Sequence, residues 1–234
     1  GKPKNMGGLP HELGSTGFGV FNSMLIALEH LKLKKEKISV AVEGFGNVGL
    51  SVSKYLSENN IKLVAVSDSK GVIYNKNSLN FNKLDKVKKE TGTVTNYKDG
   101  KVLPSNSIIS LDVDVLITAA IPDLIKVGDI DSVKAKLIIE GSNIPMSQEA
   151  EEFFHKKKVL VVPDFVANAG GVISSYIEYT GGSKEKMFKT VKEKVLNNTK
   201  LVLEQAKAKN LSPRAVAIQI AKERILKKCS VCKI

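Results

Sequence analysis

Ile38-Ser39-Val40-Ala41-Val42-Glu43-Gly44-Phe45-Gly46-Asn47-Val48-Gly49 is the stretch on which the reading of this chain turns. Its opening run is short and rich in β-branched side chains (Ile38, Val40, Val42), the composition of a buried strand. The run breaks at a G-x-G-x-x-G. Val48, Val52, Tyr55 and Leu56 then recur at spacings of three and four, which predicts a helix. Strand, glycine turn and helix in that order form the context a dinucleotide-binding fingerprint requires. In that context Gly44 would make the tight turn, Gly46 would let the backbone approach a pyrophosphate, and Gly49 would let helix and strand pack closely. Phe45, Asn47 and Val48 fill the turn between them, and free N–H groups at the helix start would hold the phosphates. A single such motif is a weak signal, so its support must come from the flanking sequence.

Downstream, Ile61 to Ser67 reads as a second strand ending in Asp68, nineteen residues beyond Gly49. An acidic residue at about that distance binds the adenosine ribose hydroxyls. Ser67-Asp68-Ser69-Lys70-Gly71 is equally a turn sequence, and Lys70 would suit a 2′-phosphate, so NAD and NADP both stay open. Asn80 to Lys89 has Phe81, Leu84 and Val87 on one helical face, and Thr91 to Asn106 reads as a polar loop. Three further apolar strands follow. Val113 to Thr118 ends at Ala119-Ala120-Ile121-Pro122, Leu137 to Glu140 at Gly141-Ser142-Asn143, and Val159 to Val162 at Pro163-Asp164. A helix over 147–157 separates the last two.

Alternation of apolar strands with helical stretches predicts an α/β, Rossmann-like, doubly wound and mostly parallel sheet. Ligands of such sheets lie at the carboxyl ends of strands. That places residues 44–49, Asp68, residues 119–121, Asn143 and residues 164–171 around one mouth. Upstream, Ser15 or Thr16 would cap a helix reaching Leu33, with Val20, Met24, Ala27, Leu28 and Leu31 on its apolar face. Gly17-Phe18-Gly19 imitates a second fingerprint but has Asn22 at the third glycine position. From Gly171 onward the pattern is helical only, over 172–179, 185–209 and 213–228. The expected division is therefore a dinucleotide-binding domain at 1–182, with helices at 183–234 packing on a separate N-terminal substrate domain.

Composition narrows the function classes. The 234 residues carry a net charge of +12, nearly all from lysine, since only Arg214 and Arg224 are arginines. Tight phosphate clamps and base readers favour arginine. Aromatics are 6% of the chain, and the lysines spread over many helix faces, so a nucleic-acid partner is not expected. No run approaches the roughly 18 apolar residues of a membrane helix, so no membrane partner is expected either. The start, Gly1-Lys2-Pro3-Lys4, has no apolar signal region, which gives a cytoplasmic expectation, and the absence of an initiator methionine suggests a piece of something longer. Cys229 and Cys232 form a C-x-x-C without a second pair, and His11, His30 and His155 show no ligand spacing, so no metal site is expected. A reduced terminal tail is the expectation for the cysteines.

Taken in order, the motifs resemble the cofactor domain of the glutamate/leucine/phenylalanine/valine dehydrogenases. They are Gly7-Gly8, Thr16-Gly17-Phe18-Gly19-Val20, Gly44 to Gly49, Ser67-Asp68-Ser69-Lys70-Gly71-Val72-Ile73-Tyr74, Ala119-Ala120, Glu140-Gly141-Ser142-Asn143-Ile144-Pro145 and Ala167-Asn168-Ala169-Gly170-Gly171-Val172, followed by Ser175-Tyr176-Ile177-Glu178. The resemblance implies NAD(P)-dependent oxidative deamination of an L-amino acid and a homohexameric whole protein. By the same resemblance Thr16 and Asn168 would touch the nicotinamide end, Asn143 its ribose, and Ala119 and Ala120 the cofactor. Val172 and Ser175 would be lent to the substrate pocket. A hydroxyl at Ser175 can donate to a distal carboxylate, where branched-chain and phenylalanine members have an apolar residue, which points to glutamate. The family's catalytic lysine and aspartate sit in an N-terminal domain, and neither motif occurs here. No catalytic residue is therefore expected in this chain, and turnover by the chain alone is not expected. The alternatives are a leucine- or phenylalanine-type domain and a stand-alone dinucleotide-binding module. Two departures stand out. Leu9-Pro10-His11-Glu12-Leu13-Gly14-Ser15 lacks the arginine usual there, and Tyr179 stands where tryptophan is common.

Overall fold

The computed structural model describes residues 2–229. The decisive stretch folds as read: β1 (Ser39–Glu43) runs into the glycine turn and α2 (Asn47–Glu58). Before it lies α1 (Ser15–His30), and after it come β2 (Lys62–Asp68), β3 (Gly71–Tyr74), α3 (Phe81–Thr91), β4 (Lys101–Leu103) and β5 (Val115–Thr118). The chain continues through β6 (Leu137–Glu140), α4 (Gln148–Lys156), β7 (Leu160–Val162), α5 (Asp164–Ala167), α6 (Gly170–Tyr179), α7 (Lys184–Lys209) and α8 (Pro213–Leu226).

Among the described residues the strands form one sheet in the order β4-β3-β2-β1-β5-β6-β7. The five strands read from the sequence are the parallel ones, β2-β1-β5-β6-β7. β3 and β4 extend the β2 edge in antiparallel fashion. They correct the expected polar loop over 91–106, which contains β4. Lys101 and Val102 are exposed, so β4 carries no apolar run that would announce it.

Side chains of the parallel strands alternate between two cores, as a sheet covered on both faces requires. Val40, Val42, Val115, Ile117, Leu137 and Ile139 face one side, with α1, α2, α7 and α8 packed over them. Ala41, Leu116, Ile138 and Val161 face the other, covered by Ala150 and Phe154 of α4 and by Ile108 and Ile109. The sheet is thus doubly wound. α7 and α8 both place apolar residues inside this chain. Val202, Leu203 and Ala206 of α7 and Val216, Ala217 and Ile220 of α8 join the main core, while Met187, Val191 and Val195 pack with Ile177. These contacts leave Tyr176, Tyr179, Ile225 and Leu226 exposed. No helix among the described residues is long and apolar enough to cross a membrane. Cys229 is disulfide-bonded, unlike the reduced tail expected, and Cys232 lies outside the described residues.

Candidate functional site

The turn after β1 is shaped by two glycines. Gly44 has φ +90°, and a Cβ there would lie 2.6 Å from the Cβ of Ala120. At Gly49 a Cβ would come within 1.9 Å of the Gly44 carbonyl oxygen, so α2 rests directly on the turn. A Cβ at Gly46 would instead meet nothing within 4 Å. Gly46 caps α2 without any side-chain hydrogen bond, so the first-turn N–H groups have no side-chain acceptor at the cap. An uncapped helix start with positive partial charge, open on its outer side, is what a pyrophosphate needs.

Beside this turn lies a cavity of about 840 Å³. Of the residues expected at the cofactor site, Gly44, Phe45, Gly46, Asp68, Ser69 and Ala120 line it. Asn47, Val48 and Gly49 form the first turn of α2, and Ala119 is buried at the end of β5. Ile109, Ile121 and Leu124 give the cavity an apolar side, and Glu43 and Lys88 line it as well. Of these five only Ile121, within residues 119–121, was placed at the mouth from the sequence. Ile109 and Leu124 fall in stretches without periodicity, and Lys88 is one of many lysines on helical polar faces. Of the four that were missed, only Glu43, an acid inside an apolar strand, carried a local signal.

Glu43 holds the far rim. Its Oε2 accepts the N–H groups of Ala119 and Ala120, each at 3.0 Å. Burial pushes its carboxyl above the usual range, while the Ala119, Ala120 and Ile121 N–H groups pull the other way. At the opposite wall Asp68 is fully engaged. Oδ1 accepts from Lys70 N at 2.9 Å and Thr93 Oγ1 at 3.3 Å, and Oδ2 from Lys88 Nζ at 2.7 Å and Val94 N at 2.8 Å. Burial opposes its charge, yet Lys88 and the Lys70 and Val94 N–H groups hold its pKa below the ordinary value. Four donors fill the roughly four lone-pair positions of a carboxylate. Lys70 and Ser69 stand exposed on the turn.

Outside the cavity lining, the remaining expected residues lie in the loop after β6, at the start of α1 and around α6. Asn143 Oδ1 accepts from Asn168 Nδ2 at 2.7 Å. Thr16 opens α1 where it meets α6, and a Cβ at Gly171 would sit 2.8 Å from Thr16 Oγ1. At Gly170 a Cβ would overlap the Ser15 carbonyl oxygen at 2.2 Å, so α1 and α6 touch through backbone. Val172 and Ser175 are exposed on α6, with Ser175 Oγ donating to the Gly171 carbonyl at 3.2 Å. The glutamate of the same helix, Glu178, accepts the N–H groups of Lys2 and Leu9 at 2.7 and 2.6 Å and so ties down the N-terminal stretch. The described residues contain no group of three or more His, Cys, Asp or Glu side chains suited to a metal ion.

The chain matches the Glutamate/Leucine/Phenylalanine/Valine dehydrogenase family over residues 7–231. It is 43% identical to a glutamate dehydrogenase of Aeropyrum pernix, over 97% of this chain and 57% of the relative. It is 35% identical to an NADP-specific glutamate dehydrogenase of Saccharolobus shibatae, over 97% of this chain and 56% of the relative. The chain thus spans little more than half the length of these curated relatives. Among solved structures, the hetero-hexameric glutamate dehydrogenase of Thermus thermophilus superposes with a TM-score of 0.89 at 24% identity, covering 100% of this chain and 57% of that one. The L-tryptophan dehydrogenase of Nostoc punctiforme does so with a TM-score of 0.74 at 29% identity, covering 92% and 60%. With its motifs, its sheet order and these matches in agreement, the chain belongs to the glutamate/leucine/phenylalanine/valine dehydrogenase family.

Proposed function

We propose that this chain is the dinucleotide-binding part of a glutamate dehydrogenase. The reaction would convert L-glutamate, NAD(P)+ and water to 2-oxoglutarate, ammonium, NAD(P)H and a proton. One observation carries the binding half of the reading: an uncapped helix start on a glycine turn, opening beside a cavity with an apolar side. The backbone of residues 44–49 would hold the pyrophosphate, with the adenosine beside Ile109, Ile121 and Leu124. Thr16, Asn143 and Asn168 would take the nicotinamide end. Bound there, the cofactor supplies the hydride acceptor.

Val172 and Ser175 would face the substrate, with the Ser175 hydroxyl free to turn toward a distal carboxylate. The acid–base groups would come from a separate domain closing over the exposed face of α6, in a hexameric protein. A general base must reach the proton it removes. His11, His30 and His155 line no part of the cavity, and the Asp164 carboxylate is bonded to Arg214.

Fluorescence titration of the chain with NADH and NADPH tests the binding half, and failure to bind either would reject it. Assaying the whole protein on glutamate, leucine and phenylalanine tests the substrate, a preference for either apolar amino acid counting against Ser175. Between the cofactors the geometry favours NADP. The Asp68 carboxylate has no acceptor to spare for ribose hydroxyls, while Ser69, Lys70 and Lys88 offer donors to a 2′-phosphate. Lys88→Ala should therefore weaken NADPH binding by roughly tenfold, one charge-assisted hydrogen bond, and NADH binding much less. An equal loss for both would reject this role of Lys88.

A further inference from the structure

Three carboxylates converge on one guanidinium behind the nicotinamide side of the mouth. Arg214, at the start of α8, donates through Nη2 to Glu140 Oε2 at 2.8 Å and to Asp164 Oδ1 at 2.9 Å. Its Nε donates to Glu151 Oε1, and its guanidinium carbon lies 5.4 Å from the centroid of the Phe165 ring. Glu140 is completely buried, and Glu151 and Asp164 nearly so.

If all three acids were ionised, one arginine would leave two negative charges uncompensated away from water, an arrangement that burial strongly disfavours. Glu140 Oε1 and Glu151 Oε2 are buried with no hydrogen-bond partner. Retaining a proton on the set relieves the imbalance. Burial, then the neighbouring Glu151 charge, pushes Glu140 up to about 8 despite Arg214. Burial likewise lifts Glu151 to about 7 against the same guanidinium. The charged groups facing this pair are Asp164 from α5, Arg214 from α8 and Glu152 from α4. Glu152 accepts the Ser212 hydroxyl at 2.5 Å.

The set also reaches the mouth. Asp164 N donates to Glu140 Oε2 at 2.9 Å, and Asp164 Oδ2 accepts the Ile144 N–H at 2.9 Å. Ile144 has φ +49°, a left-handed conformation that a β-branched residue adopts only when held. Its neighbour Asn143 bonds Asn168, which follows α5.

We propose that Arg214 is a positioning residue for the nicotinamide end of the cofactor site, acting through a proton-sharing set of Glu140, Glu151 and Asp164 that holds the Asn143–Ile144 bend. This rests on the functional reading above. It places a determinant of cofactor geometry on the C-terminal helix, remote in sequence from every mouth motif.

The test uses the 234-residue chain, whichever of NADPH and NADH it binds more tightly, and the matching adenosine half, 2′,5′-ADP or ADP. Arg214→Lys keeps the charge and loses the fork. It should weaken the dinucleotide by about tenfold, the equivalent of one lost hydrogen bond, and leave the adenosine half unchanged. Equal weakening of both ligands, or of neither, overturns the positioning role.

Glu140→Gln tests the proton. With its folded pKa raised, Glu140 contributes stability that is fully present below its unfolded value near 4.5 and is lost as pH rises through about 8. Between pH 6 and 9 the thermal midpoint of Glu140→Gln should rise relative to the original chain, because glutamine mimics the protonated carboxyl. A constant difference across that range overturns the shared proton. If the unaltered chain binds neither dinucleotide, the functional reading and the positioning role fall together, and the pH comparison still decides the proton-sharing set.

Discussion

Alanine at Gly46 is expected to remove most dinucleotide binding while leaving the fold untouched, whereas alanine at Gly49 should damage the fold itself. The two glycines are three residues apart in one turn, but their surroundings are opposite. Gly46 has φ −87°, which alanine adopts without strain, and its Cβ would enter open space. That space is where the pyrophosphate is placed, so the methyl group should cost roughly 1.4–2.8 kcal/mol of binding, or about 10- to 100-fold in affinity. At Gly49 the added carbon would lie 1.9 Å from the Gly44 carbonyl oxygen and 2.9 Å from its carbon. Both are backbone atoms and cannot rotate aside, so α2 would have to lift off the strand end. We expect a loss of about 3 kcal/mol, the upper end for overpacking, and hence a fall of roughly 6–12 °C in thermal midpoint for a domain of this size. Paired thermal unfolding and titration check both statements. A Gly49→Ala chain as stable as the original would contradict the packing, and tight binding by Gly46→Ala would contradict the pyrophosphate placement.

The second large effect is expected at Glu43. Its carboxylate accepts two backbone N–H groups across the sheet, from Ala119 and Ala120, and its residue is 5% exposed. Glu43→Ala would remove the acceptor from both and leave a void, at a cost of about 3 kcal/mol in stability. The rim it supports includes Ala120, which lines the cavity opposite Asp68, so dinucleotide affinity should fall with it. Glu43→Gln retains an acceptor oxygen of the same reach and should lose about 1 kcal/mol or less. Because burial raises the Glu43 pKa, its contribution is greatest at low pH and declines as pH rises above the unfolded value. The Gln variant should therefore approach the original in stability at alkaline pH. Chemical denaturation at two pH values reads this, and equal losses for the Ala and Gln variants would show that volume rather than the acceptor matters.

How much was legible in the sequence follows from which interactions are local. Strands buried on both faces must be apolar throughout, so Val40, Leu116 and Ile138 announced theirs. The glycine turn was legible for the same reason, since only a residue without Cβ can stand where the Gly44 oxygen nearly touches Gly49. β4 was not, because it is the edge strand, where solvent admits mixed side chains, and it pairs with residues some thirty positions away, Val72 with Leu103. Asp68 shows the same limit at a site. Its distance from the glycines was readable, but not that Lys88 and Val94 would occupy it from the next helix and turn.

By itself, then, the sequence determined the parallel sheet and the turn at residues 44–49, because each rests on backbone geometry and burial that neighbouring residues dictate. Only the tertiary structure decided which charges meet. Arg214 reaches Glu140 and Asp164 across 74 and 50 residues, and such pairings depend on how α8 lies against the ends of β6 and β7, which no local pattern encodes.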